Sequence, residues 1–273
     1  MRYLTDIISS PYEIIKNLIV YRHLLYHLVF REIKGRFVGS IGGLFWHFAH
    51  PLLMVVIFLF VFVYVFKLRL GEGGSSLSVI YIMSGLFPWI IMSEGLSRGT
   101  SSLIENAIII QKTSFPTEIL PAKAVIAPFL SYGVAIIILA VYTVINMNEP
   151  FLKFLAIPFV IFLQLIFTLG IVFITSTLSV FFRDTIQIIS LVTTFGLYLT
   201  PVLYPLSLLP EWAQRLMYFN PIFPFTMLYQ MLFTSITGFS WTILFLAVFW
   251  TILLFIIGAF FFFKLKFEFA DWL

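Results

Sequence analysis

An all-α, polytopic membrane protein with six transmembrane helices is predicted by three features of the sequence. Only 10% of the 273 residues are charged, against about 25% in a soluble domain, while 61% are hydrophobic. The apolar residues fall in runs of about 20, the length needed to cross a bilayer, separated by short polar segments. The basic residues, finally, are distributed unevenly between alternate segments. Cys is absent, which excludes disulfides and Cys-ligated metals. The basic residues are spread along the loops, which gives nucleic-acid binding no support.

Residues 1–43 read as a cytoplasmic or interfacial segment. Asp6, Pro11, Glu13 and Lys16 interrupt the first twenty residues, which is not the pattern of a cleavable signal peptide. Ser10-Pro11-Tyr12-Glu13 reads as a helix start, with Ser as cap and Pro at the first helical position. From there Ile14, Leu18, Tyr21, Leu25 and Leu28 recur in steps of three and four. Glu13, Lys16, His23, His27, Arg31 and Lys34 fall mostly on the other side. That is an amphipathic helix lying in the membrane interface, serving either as a lipid anchor or as a docking surface.

Spans are expected at about 44–66, 79–97, 122–145, 154–182, 185–204 and 241–263, so that 44–263 forms one membrane domain and 264–273 a tail. Pro51 and Pro88 predict kinks, and Trp46 suits an interfacial anchor. Pro210–Phe219 and Pro221–Ile236 are too short to span, and read as a re-entrant helix pair on the outer side. With an inside amino terminus and six spans, Arg2, Lys16, Arg22, Arg31, Lys34, Arg36, Arg98, Lys112, Lys123, Arg183, Lys264 and Lys266 are cytoplasmic. Lys67, Arg69, Lys153 and Arg215 are outside, twelve against four of the sixteen. The positive-inside rule therefore orients the chain with both termini in the cytoplasm.

This orientation puts the segment Leu103–Pro121 (LIENAIIIQKTSFPTEILP) inside the cell. Ser102 and Glu105 have capping-box spacing, Ile108–Ile110 form an apolar patch before Gln111 and Lys112, and Pro116 stops the helix. Chemistry is otherwise sparse. There is no GxxxxGK[ST] phosphate loop, and Gly71–Gly74 is a flexible outer stretch. His23 and His27 have metal-compatible i, i+4 spacing but no carboxylate or HExxH pattern to complete a site. Glu94 stands near a span with Arg98 four residues on, and reads either as a headgroup-level ion pair or as a gating or substrate group. Tyr64, Phe66, Trp89 and Tyr198 are candidates to line a path, since aromatic faces stack on sugar rings.

FREIKGRFVGSIGGLFWHFAHPLL (Phe30–Leu53), SGLFPW (Ser84–Trp89), SFPTEILP (Ser114–Pro121), FFRDT (Phe181–Thr185) and YFNPIFPFTMLYQ (Tyr218–Gln230) occur in that order. Together they resemble the ABC-2 type permeases, most of all the membrane subunits of bacterial polysaccharide exporters, which carry lipid-linked O-antigen, capsule or teichoic-acid chains. The resemblance covers nearly the whole chain, departing before Tyr21, where this sequence is longer than the family minimum. It implies a homodimer in the inner membrane, working with two copies of a separate ATP-binding cassette subunit. ATP and Mg would be held by that subunit, leaving no cofactor or catalytic residue here. It implies, further, that the amino-terminal helix touches the ATPase and that Leu103–Phe115 is the coupling helix, with Ile108, Ile109, Ile110, Gln111 and Lys112 at the contact. The turn at Arg183-Asp184 matches the family, and 210–236 would gate the outer side. Arg31, Lys34 and Arg36 would meet the lipid carrier's diphosphate at the cytoplasmic entrance, or serve only as positive-inside residues. Other readings are an ABC-2 exporter of drugs or small lipids, a membrane-embedded transferase, and a scaffold or channel.

Overall fold

The computed structural model describes residues 2–35, 60–65, 74–147, 150–234 and 238–273, with the isolated positions 45, 49, 53, 56 and 57. Every described element is helical. Four helices are long and apolar enough to cross a membrane: Leu77–Glu105, Ile119–Ile145, Phe151–Phe181 and Trp241–Leu265. The chain is thus an all-α, multi-pass membrane protein. Most of the expected first span, with Trp46, Pro51 and Phe66, lies outside the described residues; Phe60–Val65 forms a π-type helical turn.

The amino-terminal segment forms two helices, α1 (Arg2–Val20) and α2 (Arg22–Gly35). Backbone bonds from Tyr21 to Asn17 and from Leu25 to Tyr21, both 2.9 Å, carry the helical pattern across the join. The expected start at Ser10 is wrong, because Pro11 lies inside α1. The reason is packing. Ser10 and Ile14 are buried where α1 lies along the last long helix, which outweighs the hydrogen bond that proline removes. The predicted apolar stripe is seated on the bundle through Ile14, Leu18 and Leu25, joined by Val29, whereas Tyr21 is exposed.

Helix α3 (Gly74–Glu105) is 32 residues long, far beyond the expected 79–97. The hydroxyls of its polar carboxyl-terminal turns are satisfied within the helix. Thr100 donates to Leu96 O (2.7 Å) and Ser102 to Gly99 O (2.7 Å). The capping box expected at Ser102 and Glu105 is therefore absent. Ser102 is inside α3, and the next helix, α4 (Ala107–Lys112), follows Asn106 without a side-chain cap. After the extended stretch around Phe115-Pro116, α5 (Ile119–Met147) returns antiparallel to α3 and packs along it. Pro121 falls in the first turn of α5, where its missing N–H costs nothing.

A 3₁₀ turn (Phe151–Ala156) leads into α6 (Ile157–Phe181), the central helix, which touches α3, α5 and α10 (Trp241–Leu265). Gly170 and Gly258 bring α6 and α10 backbone to backbone; a Cβ on Gly258 would collide with the Gly170 carbonyl. After the turn at Arg183-Asp184, α7 (Thr185–Leu199) has only 15 residues, shorter than the expected 185–204. It stops at Thr200, held extended by the proline that follows. Helices α8 (Glu211–Met217) and α9 (Phe223–Phe233) come next. All eleven residues of α9 are buried, against α3, α6 and α10. The chain closes with α11 (Phe269–Trp272), whose Phe269 is buried against Phe262.

Candidate functional site

Helix α4 hangs between the end of α3 and the start of α5, so whatever moves it moves two long helices. Its six residues divide sharply. Ile108 is 68% exposed and Ile109 36%, with Gln111 and Lys112 also outward. Ile110 is buried at 8% and seats α4 on the core, so its place in an outward-facing patch is corrected. The rotation of a little over half a turn from 108 to 110 is what an α-helix imposes. Asn106 Nδ2 bonds Ser102 O at 2.8 Å, and α11 packs beneath α4, so the exposed ridge stands on a fixed base.

At the same end of the bundle a row of charges joins three helices. Glu94 and Arg98 are paired at 2.9 Å (Oε1 to Nε). Arg98 Nη1 also lies 3.6 Å from Glu32 Oε1 of α2, and Glu32 Oε2 is 3.3 Å from Lys123 Nζ of α5. Glu118, 2% exposed, accepts a hydrogen bond from Asn17 Nδ2 of α1 and lies 4.0 Å from Lys266 Nζ beyond α10. Sequence reading singled out Glu94 and Arg98 but missed Glu32, Lys123 and Glu118. The visible signal for Glu118 was a lone carboxylate between two prolines at the mouth of a span.

The opposite end holds a neutral network. Gln164 of α6 donates to Pro88 O at 2.8 Å and accepts from Tyr229 Oη of α9 at 2.9 Å, fastening α9 to α3 at Pro88. Gln230 Nε2 donates to Pro201 O at 3.0 Å, and Asn220 Nδ2 to Thr200 Oγ1 at 3.0 Å. The Gln230 bond satisfies a carbonyl of non-helical backbone that hydrocarbon would not tolerate unpaired. Gln164 was also missed, though it is the single amide in α6.

The aromatic candidates scatter. Trp89 is buried at 4%, its ring lying where a Cβ on Gly196 would have to go; it wedges α3 against α7 and lines no open surface of the chain. Tyr64 and Tyr198 are exposed, Tyr64 stacked on Phe60 at 6.3 Å. Arg31 and Lys34 are exposed on α2, and so are His23 and His27; Arg36 and Phe66 lie outside the described residues.

The long uncovered face of α7 is notable for its polarity. Gln187, Ser190, Thr194 and Tyr198, at steps of three and four, are all exposed. Thr194 donates to Ser190 O at 2.8 Å, which softens the exposure of one hydroxyl.

Residues 23–232 match the ABC-2 type transporter family. The chain is 31% identical over 249 residues to the O-antigen export system permease protein RfbA of Klebsiella pneumoniae, covering 91% of this chain and 94% of that one. It is 29% identical over 223 residues to the protein of the same name from Myxococcus xanthus, covering 81% and 84%. On the family match over most of its length and on these relatives, this chain belongs to the ABC-2 type transporter family.

Proposed function

We propose that the chain is the permease subunit of an ATP-driven exporter that moves a lipid-linked, O-antigen-like polysaccharide across the bacterial inner membrane. The observation that carries this reading is the exposed Ile108–Ile109 ridge on a helix anchored by its own Ile110 between two long spans. A short apolar ridge on a rigid base suits a cleft in a second protein, and a family of transporters with no phosphate loop in this chain needs a second protein for energy. That partner is an ATP-binding cassette subunit in two copies, which holds ATP and Mg.

In this reading the chain is a single transmembrane domain of six spans, both termini cytoplasmic, with α1 and α2 in the interface. The first span is assigned to about 44–66, α7 with the turn after it makes the fifth, and α8 and α9 form the re-entrant outer gate. Two copies pair so that their α7 faces border the path, because Gln187, Ser190 and Thr194 are better placed against water and glycan hydroxyls than against lipid. This polar stripe favours a hydrated polysaccharide over an apolar drug or small lipid as cargo. Arg31, Lys34 and Arg36 stand at the cytoplasmic entrance to meet the carrier's diphosphate.

The test is Ile108→Glu in the complex with the ATP-binding subunit. Insertion is expected to be unchanged, since residue 108 is exposed, while ATP hydrolysis continues and export falls by about tenfold or more, the scale of a coupling free energy. Export at the wild-type level with a charge at this position would remove α4 from the coupling role.

A further inference from the structure

The helix pair α1–α2 meets the rest of the molecule in two ways. One is an apolar stripe, Ile14, Leu18, Leu25 and Val29, laid on the bundle. Contacts of that kind are non-directional and hold a surface without fixing where along it a helix sits. The other is a pair of carboxylates, and their placement is specific. Glu32 of α2 divides its two oxygens between the two legs of the hairpin that bears α4: Arg98 on α3 (3.6 Å) and Lys123 on α5 (3.3 Å). Lys123 is 12% exposed and Glu32 17%, whereas Arg98 is 42% exposed, so the Glu32–Lys123 side of the joint is largely removed from solvent and the Arg98 side is open to it. Glu118, at the head of the second leg, takes the Asn17 amide of α1 and the ammonium of Lys266, which rests on the ring of Phe263 at 4.3 Å.

The signs alternate along Glu94, Arg98, Glu32 and Lys123, so the row is neutral and leaves no single charge to be desolvated alone. A buried pair of this kind is a poor way to add stability, because apolar residues of the same volume hold as well or better. What charge pairs add is register: they fix which turn faces which. Both carboxylates lie at the joint between α1–α2 and the legs of α4.

We propose that Glu32 and Glu118 are positioning residues that make α1–α2 move as one body with the α4 hairpin. This rests on α4 being the coupling helix. A displacement delivered to α4 is then shared at once with the helices at the membrane boundary, rather than absorbed by sliding of a greasy contact. α1–α2 becomes a working part of the transport cycle in addition to an anchor.

The experiment uses the complete complex with its ATP-binding subunit, reconstituted in vesicles, with ATP hydrolysis, export and the amount of co-purifying subunit measured together. Glu32→Gln and Glu118→Lys are each expected to keep co-purification and ATP hydrolysis within about twofold of wild type while export falls about tenfold, the size of a coupling between sites. Glu118→Lys combined with Lys266→Glu restores an opposite-charge pair, and the Asn17 amide can turn to present its oxygen to the new lysine. Export is expected to return in this double variant. Glu118→Gln, which keeps an acceptor for Asn17 and loses the charge, reads the same contrast where the lysine variant fails to assemble.

Export and hydrolysis falling in parallel, export unchanged in the single variants, or a double variant no better than Glu118→Lys would each overturn the proposal. Ile108→Glu separates the two levels. If it uncouples and the carboxylate variants do not, only this inference falls; if it does not uncouple, the coupling role of α4 falls first.

Discussion

Helices α7 and α10 both leave long faces uncovered, and the two faces differ in chemistry. On α10 the exposed positions along the helix include Phe245, Phe249, Ile252 and Ile257, while its central hydroxyl, Thr251, is buried at 2% and donates to Ala247 O at 2.7 Å. On α7 Ile188, Val192, Phe195 and Leu199 are exposed too, but Gln187, Ser190 and Thr194 run beside them. Both helices flank α6. Exposure alone therefore does not say what a helix faces; the fate of its polar atoms does. α10 hides its central hydroxyl, as suits a lipid-facing helix, and its other threonine, the exposed Thr242, lies in the first turn at the helix end. α7 presents an amide and two hydroxyls outward, which is economical only against water or protein. A second difference is seating. α10 meets α6 backbone to backbone at Gly258, whereas α7 is held by the flat ring of Trp89 against Gly196.

The largest contrast should come from placing a charge on each face. Ile252→Arg puts a guanidinium near the middle of α10, which costs about 2.5–3.5 kcal/mol on insertion scales. The fraction of chain recovered in alkali-washed membranes should drop accordingly. Thr194→Arg on α7 should insert close to normally if that face is wet; equal losses from the two variants would erase the distinction. Gly258→Ala comes next. Its methyl meets backbone, which has nowhere to go, and overpacking of this kind costs about 1–3 kcal/mol, so the purified protein should unfold at a clearly lower temperature in detergent.

The sequence made the large features legible. A helical membrane protein, the position of the α3–α5 connection and the pairing distance of Glu94 and Arg98 all follow from composition, periodicity and the i, i+4 rule. What escaped has a common cause, which is that it depends on helix rotation or on partners distant in sequence. Ile108 and Ile110 look alike in the string III and face opposite ways, since two residues are more than half a turn apart. Trp89 looked like a lining ring and is a wedge, because its neighbour Gly196 lies more than a hundred positions away. Glu32 was passed over, because its partners Arg98 and Lys123 come from other helices. The helix start at Ser10 failed for the same reason, with burial of Ile14 outweighing a good local cap.

Because the chain has no Cys, thiol labelling can compare the faces without background. Ser190→Cys and Thr194→Cys should react with a membrane-impermeant maleimide at least about tenfold faster than Phe249→Cys or Ile252→Cys, because the reacting thiolate forms in water and not in lipid. Slow reaction at all four positions would mean that protein, not water, covers α7.

The smallest effect expected is at the α7 seat, and it tests the reason for the difference in seating. An alanine Cβ at 196 would lie 2.7 Å from the far carbon of the Trp89 ring, also a clash, though milder than the closer approach to the Gly170 carbonyl oxygen at Gly258. The obstacle here is a side chain, however, and a small turn of the indole relieves it. Alanine also favours the helix over glycine by about 0.8–1 kcal/mol, which offsets what the turn costs. Gly196→Ala should therefore shift the unfolding temperature little in either direction, while Gly258→Ala, with the same gain in propensity, should lower it. If both glycines prove equally intolerant, Trp89 is locked as firmly as backbone, and α7 is then fixed to α3 as rigidly as α10 is to α6. In that case any movement that opens a path along α7 must carry α3 with it, and so must begin at the end of α3 where α4 is attached.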